Sequence, residues 1–253
     1  MPTVAGFNLT PVKSTRTHRP DAIDLRRRGA VGDRRFLFVR EDGTRPSGVS
    51  KASLMPIRAT YDADEEHLTL ILPGGEQVSG DARGSGDPIE VALYDRSVTA
   101  RRIDPVLTEA TRTEIDPTLS LARVDEPEYA GGMHRVTLVS RASVADVGAR
   151  IGDAALDPRR FRMLVEVDGL DAFEEDGWAG RRVRIGAAVV RVVDRVPRCV
   201  MTTLNPDTGL ADAPVLDALA TYRKMGNDLL LGVWADVEEE GSIHAGDRVT
   251  SLG

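Results

Sequence analysis

The pattern of hydrophobic and polar positions predicts that the first part of the chain consists mainly of β-strands. Short apolar or alternating runs are separated there by turns rich in Gly, Pro and Asp, a spacing that is typical of a meander or small barrel. The predicted strands are 34–39, 54–61, 67–72 and 91–94. We therefore predict a β-rich N-terminal domain over residues 1–100.

The remaining residues, 101–253, mix strand patterns with a few helical ones. Strand patterns occur at 136–139, 161–167, 182–185, 187–193, 229–237 and 248–251. Helical patterns occur at 105–115, at 119–124, from Ser143 as the cap to Gly152, and at 214–222. The two strands around Gly186 suit a hairpin, and the period of two would place Arg160 and Arg162 on one face. The whole chain is thus predicted to be mainly β, an α+β protein.

Composition and charge narrow the class of protein. At 253 residues, with 41% hydrophobic and 29% charged residues, the chain is long enough for one large or two small globular domains. The net charge of -7 argues against a nucleic-acid-binding protein. No signal-peptide pattern and no apolar run of about 18–20 residues are found, which predicts a soluble cytoplasmic protein that does not enter a membrane. No Gly-rich loop follows a strand and opens a helix, so a Rossmann or P-loop nucleotide site is not expected.

Residues 193–209 contain Cys199, the only cysteine of the chain. A single cysteine excludes an internal disulfide and any four-cysteine metal site. The thiol is expected just past a strand end, near two arginines whose positive charge favours the thiolate, a soft metal ligand. Residues 205–209, Asn-Pro-Asp-Thr-Gly, predict a turn. From the residues alone, a functional ligand and a small buried hydrophobe are equally good interpretations of Cys199.

Several other polar residues have two interpretations. Lys13, Ser14 and Arg35 lie near predicted strand ends and could hold a phosphate, although the residues alone favour solvated surface charges. His134 precedes a predicted strand and by itself reads as a surface histidine. The acidic run 174–176 is predicted to be a loop that leads to Trp178 as a packing anchor, rather than a metal site.

A long ungapped motif changes these interpretations. Residues 198–209, Arg-Cys-Val-Met-Thr-Thr-Leu-Asn-Pro-Asp-Thr-Gly, resemble the signature of the MOSC family, which is named from the C-terminal domain of molybdenum cofactor sulfurase. Further matches lie at 160–162, 167–169 and 173–178. Residues 11–14 and 32–36 are similar to the β-rich domain that precedes MOSC in the amidoxime-reducing component subfamily. The resemblance implies a β-barrel MOSC domain with a few short helices over 101–253, after the N-terminal domain.

The resemblance also implies a cofactor and a reaction. The cofactor would be molybdopterin with one molybdenum, and Cys199 would be the protein thiolate ligand and catalytic centre. The cofactor-binding residues implied are Lys13, Ser14, Arg35, His134, Arg162, Arg198, Cys199, Thr202 and Thr203. The implied activity is that of a molybdenum-dependent oxidoreductase that reduces N-hydroxylated compounds. Its electrons would come from a separate electron-transfer protein.

Departures from the family pattern leave other functions open. Met163 and Leu164 stand where the family has Pro-Asn, and residues 47–50 replace a Thr-Gln-Arg type motif. One alternative is a non-catalytic carrier that holds sulfur or molybdenum cofactor at Cys199. The other is a degenerate β-barrel interaction protein whose cysteine is only packed in the core.

Overall fold

The structure is a computed structural model, and it describes residues 1–46, 52–93, 96–125, 130–131 and 133–252. The helices in these ranges are α1 (Pro105–Glu114), α2 (Arg141–Ile151) and α3 (Val215–Tyr222). The strands of the first half are β1 (Thr3–Phe7), β2 (Ala22–Arg26), β3 (Gly29–Ala30), β4 (Phe36–Val39), β5 (Arg58–Asp62), β6 (His67–Ile71), β7 (Gln77–Asp81), β8 (Ser85–Leu93) and β9 (Arg96–Arg102). Those of the second half are β10 (Ser120–Val124), β11 (Val136–Ser140), β12 (Val165–Asp168), β13 (Arg182–Ile185), β14 (Ala188–Pro197), β15 (Lys224–Met225), β16 (Asp228–Glu239), β17 (Gly241–His244) and β18 (Val249–Ser251).

The largest sheet closes into a barrel. Its strand order is β1-β12-β11-β16-β14-β13-β18, with β15 added to β16. Backbone bonds from Val4 N to Asp247 O (2.8 Å) and from Val249 N to Pro2 O (2.9 Å) join the last strand to the first. The first strand of the chain therefore completes the barrel of the second half. Closure leaves few free strand edges, which is the usual advantage of this architecture.

The barrel interior is filled by side chains that alternate along its strands. In β14, Val190 and Val192 belong to the buried cluster, whereas Arg191 between them is exposed. This period of two is the signature of a strand with one face in the core. Trp178 also belongs to that cluster, so its predicted role as a packing anchor is confirmed.

The smaller sheets come mainly from the first half. Their orders are β4-β10-β9-β8, β5-β6-β7 and β17-β2-β3. Helix α1 packs with β4, β5 and β6 around Leu107, which is fully buried. The structure is thus mainly β with a barrel and a few short helices, as predicted. The expected domain boundary at residue 100 falls inside β9, and its position stays a prediction.

Three local predictions were wrong. Residues 119–124 form strand β10 rather than a helix, because this segment is completed by pairing with β4 and β9. Helix α2 is capped by Ser140, three residues before the predicted cap Ser143. The predicted strand 161–167 starts only at Val165, since Pro158–Phe161 form a short 3-10 helix. Nonlocal pairing and proline geometry decided these cases, and neither is visible in a local hydrophobic pattern.

Candidate functional site

Cys199 is exposed at the point where a barrel strand ends. β14 ends at Pro197, and Cys199 caps the short 3-10 helix Val200–Thr203. The main-chain carbonyl of Cys199 accepts bonds from the Thr202 amide (3.1 Å) and from the Thr202 hydroxyl (3.0 Å). The Thr203 hydroxyl donates to the Val200 carbonyl at 2.7 Å. Because the thiol is exposed, the interpretation of Cys199 as a packed core residue is wrong.

The predicted turn 205–209 is present and is held by its own side chains. The Asn205 side-chain oxygen accepts from the amides of Asp207 (2.9 Å) and Thr208 (3.2 Å). Gly209 has φ +75, a left-handed conformation that favours glycine. A Cβ at Gly209 would lie closer to the Ala52 carbonyl oxygen than the 3.0 Å that real Cβ atoms keep. Only glycine therefore allows this turn to lie directly against residue 52 of the first half.

Two arginines from distant parts of the chain fix Asp207. Both terminal nitrogens of Arg159 bond to its carboxylate, at 2.9 and 2.8 Å. Arg16 adds an ion pair at 3.2 Å and a bond to the Asp207 carbonyl at 2.7 Å. Asp157 holds the same Arg159 guanidinium from the other side. The hydrogen bonds from Arg159 lower the pKa of the Asp207 carboxyl. This Arg16–Asp207–Arg159 clamp ties the N-terminal segment to the turn that follows Cys199.

Arg160 and Arg162 point to different surroundings. The buried Arg160 guanidinium donates to the Thr203 carbonyl (3.4 Å) and pairs with Asp212 (2.6 Å). Arg162 has φ +53 and reaches the Met55 sulfur in the first half, at 3.7 Å. The expectation that both lie on one strand face is wrong, because Arg160 lies in the 3-10 helix and Arg162 caps it.

Arg198 precedes Cys199 in the chain, and its side chain packs against buried residues. Its guanidinium donates to the Phe161 carbonyl and contacts the Met163 sulfur at 3.2 Å. Its amide bonds to the Leu229 carbonyl at 2.7 Å. Leu164, the other departure from the family motif, is buried in the barrel core. An amide contact to a cofactor from position 164 is therefore absent in this chain.

Lys13 and Ser14 lie on the first-half side of the same region. They line a cavity of about 10 Å³ together with Leu54 and Arg45. The residue after Leu54 is Met55, whose sulfur meets Arg162. Ser14 has φ +76, an uncommon conformation for a residue other than glycine. The Lys13–Ser14 cavity and Arg162 thus contact the consecutive residues Leu54 and Met55, respectively. The replacement at 47–50 lies outside the described residues.

Arg35 and His134 lie away from this group. Arg35 lines a different cavity, of about 270 Å³, with Tyr61, Glu66 and Arg123. His134 Nδ1 lies 2.9 Å from an Asp236 oxygen, beside β16. Pro197 pairs with Leu230, so Asp236 is about 20 Å further along that strand at ~3.3 Å per residue. The assignment of these two residues to the cofactor stays a prediction without geometric support from the Cys199 region.

The acidic run 174–176 serves the fold. Glu175 is buried and accepts bonds from the Ser140 amide (3.1 Å) and the Ser143 hydroxyl (2.8 Å) at the start of α2. Burial raises the pKa of the Glu175 carboxyl. Asp176 pairs with Arg223 at 2.5 Å. Within the described ranges, no three His, Cys, Asp or Glu side chains are grouped so that they could hold a metal ion.

Together, these features define a β protein with an exposed cysteine at a barrel strand end, followed by a turn that contacts the first half, and known proteins share its two-domain plan. Residues 126–250 match the model of the MOSC domain, and residues 1–110 match that of the MOSC N-terminal β-barrel domain. The chain belongs to the MOSC family. The crystal structure of the YUAD protein from Bacillus subtilis is similar in fold, with TM-score 0.50 and 15% identity over 98% of this chain and 94% of that chain.

Curated relatives match almost the whole chain. Mitochondrial amidoxime-reducing component 1 from Homo sapiens is 31% identical, over 99% of this chain and 83% of its own length. Mitochondrial amidoxime reducing component 2 from Bos taurus is 28% identical, over 99% of this chain and 83% of its own length. Those names carry a mitochondrial location, so the cytoplasmic location expected here stays a prediction. None of the helices in the described residues is long and apolar enough to cross a membrane.

Sequence reasoning missed the residues that hold the site together. Arg16 and Arg159 stand next to matched motifs, but their shared contact with Asp207 joins positions 191 and 48 residues apart. Such contacts cannot be inferred from spacing in one chain.

Proposed function

We propose that this protein binds molybdenum cofactor through the Cys199 thiolate and reduces N-hydroxylated compounds. The observation that carries the proposal is the exposed Cys199 at a barrel strand end, followed by a turn that Arg16 and Arg159 clamp. Similarity to amidoxime-reducing components over nearly the full chain gives the reaction class. The substrates would be amidoximes, hydroxylamines and N-hydroxylated bases.

The residues of the site suit such a cofactor. A soft thiolate is a good ligand for molybdenum, and a metal held by one protein ligand needs its other ligands from an organic group. Cationic and hydroxyl side chains suit the phosphate and polar edges of a pterin. We infer this role for Lys13 and Ser14, which line one cavity, and for Arg162 and Arg198, which contact the sulfurs of Met55 and Met163.

The protein's own residues bind and orient. Thr202 fixes the Cys199 main chain through two bonds to its carbonyl, so the thiol has a defined direction. Arg198, the residue before Cys199, is held by the Phe161 carbonyl and the Met163 sulfur, which fixes the main chain that leads to the thiol. When bound, the cofactor would supply the two-electron redox chemistry.

The overall reaction needs a second protein. Cleavage of the N–O bond consumes two electrons and two protons, and it yields the amine or amidine and one water. Cys199 is the only cysteine, so a disulfide or cysteine-bound cluster within the chain cannot deliver those electrons. We infer a separate electron-transfer protein as the donor.

A carrier of sulfur or cofactor remains the second candidate. The exposure of Cys199 favours it, because a thiol that passes a group to another protein must be accessible. A carrier would hold sulfane sulfur or transfer cofactor, and it would reduce no hydroxylamine with any reductant.

The test is molybdenum and pterin content after purification from a host that makes molybdenum cofactor. We expect near-stoichiometric molybdenum in the wild type, little in Cys199→Ala and a reduced amount in Arg162→Ala. Arg83→Ala, at an exposed arginine of the first half, is the control and should keep the wild-type content. Reduction of benzamidoxime with an artificial donor then separates reductase from carrier. Equal molybdenum in wild type and Cys199→Ala would remove Cys199 from the site.

A further inference from the structure

A short hairpin lies beside the thiol. β15 pairs with the start of β16, with Lys224 opposite Leu229 and Met225 opposite Asp228. The two-residue turn between them begins at Gly226, whose φ of +58 suits such a turn. Because β16 also pairs with β14, the start of β16 lies between β15 and the segment that leads to Cys199.

The register places Asp228 opposite Cys199. Pro197 pairs with Leu230, and the Arg198 amide bonds to the Leu229 carbonyl at 2.7 Å. Cys199 continues in extended conformation, with φ -128 and ψ 177. One further step along the two antiparallel strands brings Cys199 and Asp228 into opposite positions. Side chains in such positions share a face, with Cβ atoms about 4.5–5.5 Å apart.

Arg198 and Leu229 face the buried cluster that contains Phe161 and Met163, since Arg198 contacts both residues and Leu229 packs against that cluster. Alternation turns Cys199 and Asp228 to the opposite face of the two strands, which we call the outer face. Both residues are exposed there.

Two further side chains share this outer face. Met225, opposite Asp228, is 49% exposed. Its sulfur lies 3.0 Å from a terminal nitrogen of Arg195, which also lies 3.8 Å from an Asp194 oxygen. Arg195 is therefore already engaged on both sides, whereas no ion pair among the described residues occupies the Asp228 carboxylate.

We propose that Asp228 is a specificity-determining residue that favours positively charged N-hydroxylated substrates at Cys199. Its carboxylate presents negative charge and hydrogen-bond acceptors beside the thiol. A protonated N-hydroxyguanidine offers the matching N–H donors and positive charge. Met225 supplies an apolar wall on the same face. This proposal rests on the proposed reductase function, but its geometric part can be tested without any activity.

The first test uses the only cysteine of the chain as a probe of local charge. In protein purified from a host that does not make molybdenum cofactor, Cys199 is modified with a trimethylammonium-bearing and a sulfonate-bearing methanethiosulfonate, and the ratio of the two rates is compared. One unit charge about 6 Å away in water changes each rate by roughly threefold in opposite directions. Asp228→Asn should therefore lower the cation-to-anion ratio by about tenfold at low salt, and added salt should reduce the difference. The ratio is insensitive to changes in thiolate fraction, because both reagents attack the same thiol.

The second test compares substrates in the cofactor-loaded protein. We expect Asp228→Asn to lower kcat/KM for a protonated N-hydroxyguanidine by about tenfold, the scale of one charge-assisted bond at a partly exposed site. A neutral aromatic hydroxylamine should change less than about twofold, as should both substrates in the control Asp64→Asn in the β5–β6 turn.

The outcomes distinguish the placement of Asp228 beside Cys199 from its role in substrate specificity. An unchanged labelling ratio in Asp228→Asn overturns the placement of Asp228 beside Cys199. A changed ratio with an unchanged substrate preference overturns the specificity role. If the wild type contains molybdenum but reduces neither substrate, the proposed function fails and the specificity role fails with it, while the labelling result still reports the geometry.

Discussion

Gly209→Ala is the sharpest perturbation of the contact between the two halves of the molecule. The new Cβ would meet the Ala52 carbonyl oxygen inside the 3.0 Å that real Cβ atoms keep, so the turn or residue 52 must move. Alanine at φ +75 also costs about 1–2 kcal/mol in backbone strain. Forced contacts of this kind typically add about 1–3 kcal/mol. The expected loss in the free energy of unfolding is the sum, about 2–5 kcal/mol.

Gly152→Ala is a matched control. Gly152 ends α2 at φ +74, and a Cβ there would have no atom within 4 Å. It therefore carries the same strain of about 1–2 kcal/mol without the contact. Urea unfolding followed by circular dichroism gives both values, provided that the m-values agree. Equal losses in the two variants would refute the close packing of Gly209 on Ala52. A larger loss in Gly209→Ala should be accompanied by lower molybdenum content, because the displaced turn follows Cys199.

Two further predictions concern pH. Burial raises the pKa of Glu175 above its ordinary value of 4.5, so its contribution to stability is present at low pH and is lost as the pH rises through the folded-state pKa. In Glu175→Gln, the free energy of unfolding should therefore decrease less between pH 4.5 and neutral pH than in the wild type. Urea unfolding over this pH range measures the decrease, and an equal decrease in variant and wild type would contradict the prediction. Bonds from Arg159 lower the pKa of Asp207 below 3.8, so its stabilisation is present above that value and is lost as the pH falls. Asp207→Asn should cost about 1 kcal/mol at pH 7, allowing for exposure, and the difference should shrink at acid pH; urea unfolding at both pH values checks this, and a cost independent of pH would count against the clamp.

The strand pattern was predictable because burial on one face imposes a period of two on the sequence itself. The hairpin across Gly186 is confirmed by the pairing of Arg182 with Arg191 and of Ile185 with Ala188. Helix α1 also starts at Pro105 as predicted, with the Asp104 side chain accepting from the Val106 amide. These signals are local. The strand at 120–124 was missed because its backbone bonds lie with β4 and β9, far away in the chain.

In the candidate site, too, the local contacts could be predicted from the sequence and the nonlocal ones could not. Residues in one continuous motif, Cys199 with Thr202 and Thr203, could be identified together because their mutual bonds are local. The positions of Arg35 and His134 relative to the thiol depend on how strands far apart in the chain align. Resemblance to a motif identifies residue types, but it does not give the distances of Arg35 and His134 from the Cys199 thiol. It implied that both residues bind a cofactor, which stays a prediction. In the structure Arg35 lines a cavity with Glu66, and His134 lies beside Asp236.

The Arg16–Asp207–Arg159 clamp shows how the first half of the chain supports the Cys199 region, which belongs to the second half. Thr202 orients the Cys199 main chain locally, and Asn205 holds the turn at 205–209 through the amides of Asp207 and Thr208. Arg16 and the close approach of residue 52 supply two independent contacts from the first half, one electrostatic and one steric. The Arg16–Asp207 ion pair weakens with added salt and at acid pH, whereas the steric contact of Gly209 with Ala52 does not. Unfolding free energies measured at different salt concentrations and pH values therefore separate the two contributions to stability. In the proposed function, these two contacts would keep the turn after Cys199 in place while the protein holds an anionic cofactor. Arg16 therefore supports the turn after Cys199 through its ion pair with Asp207, while the contact of residue 52 with Gly209 acts on the other end of the same turn.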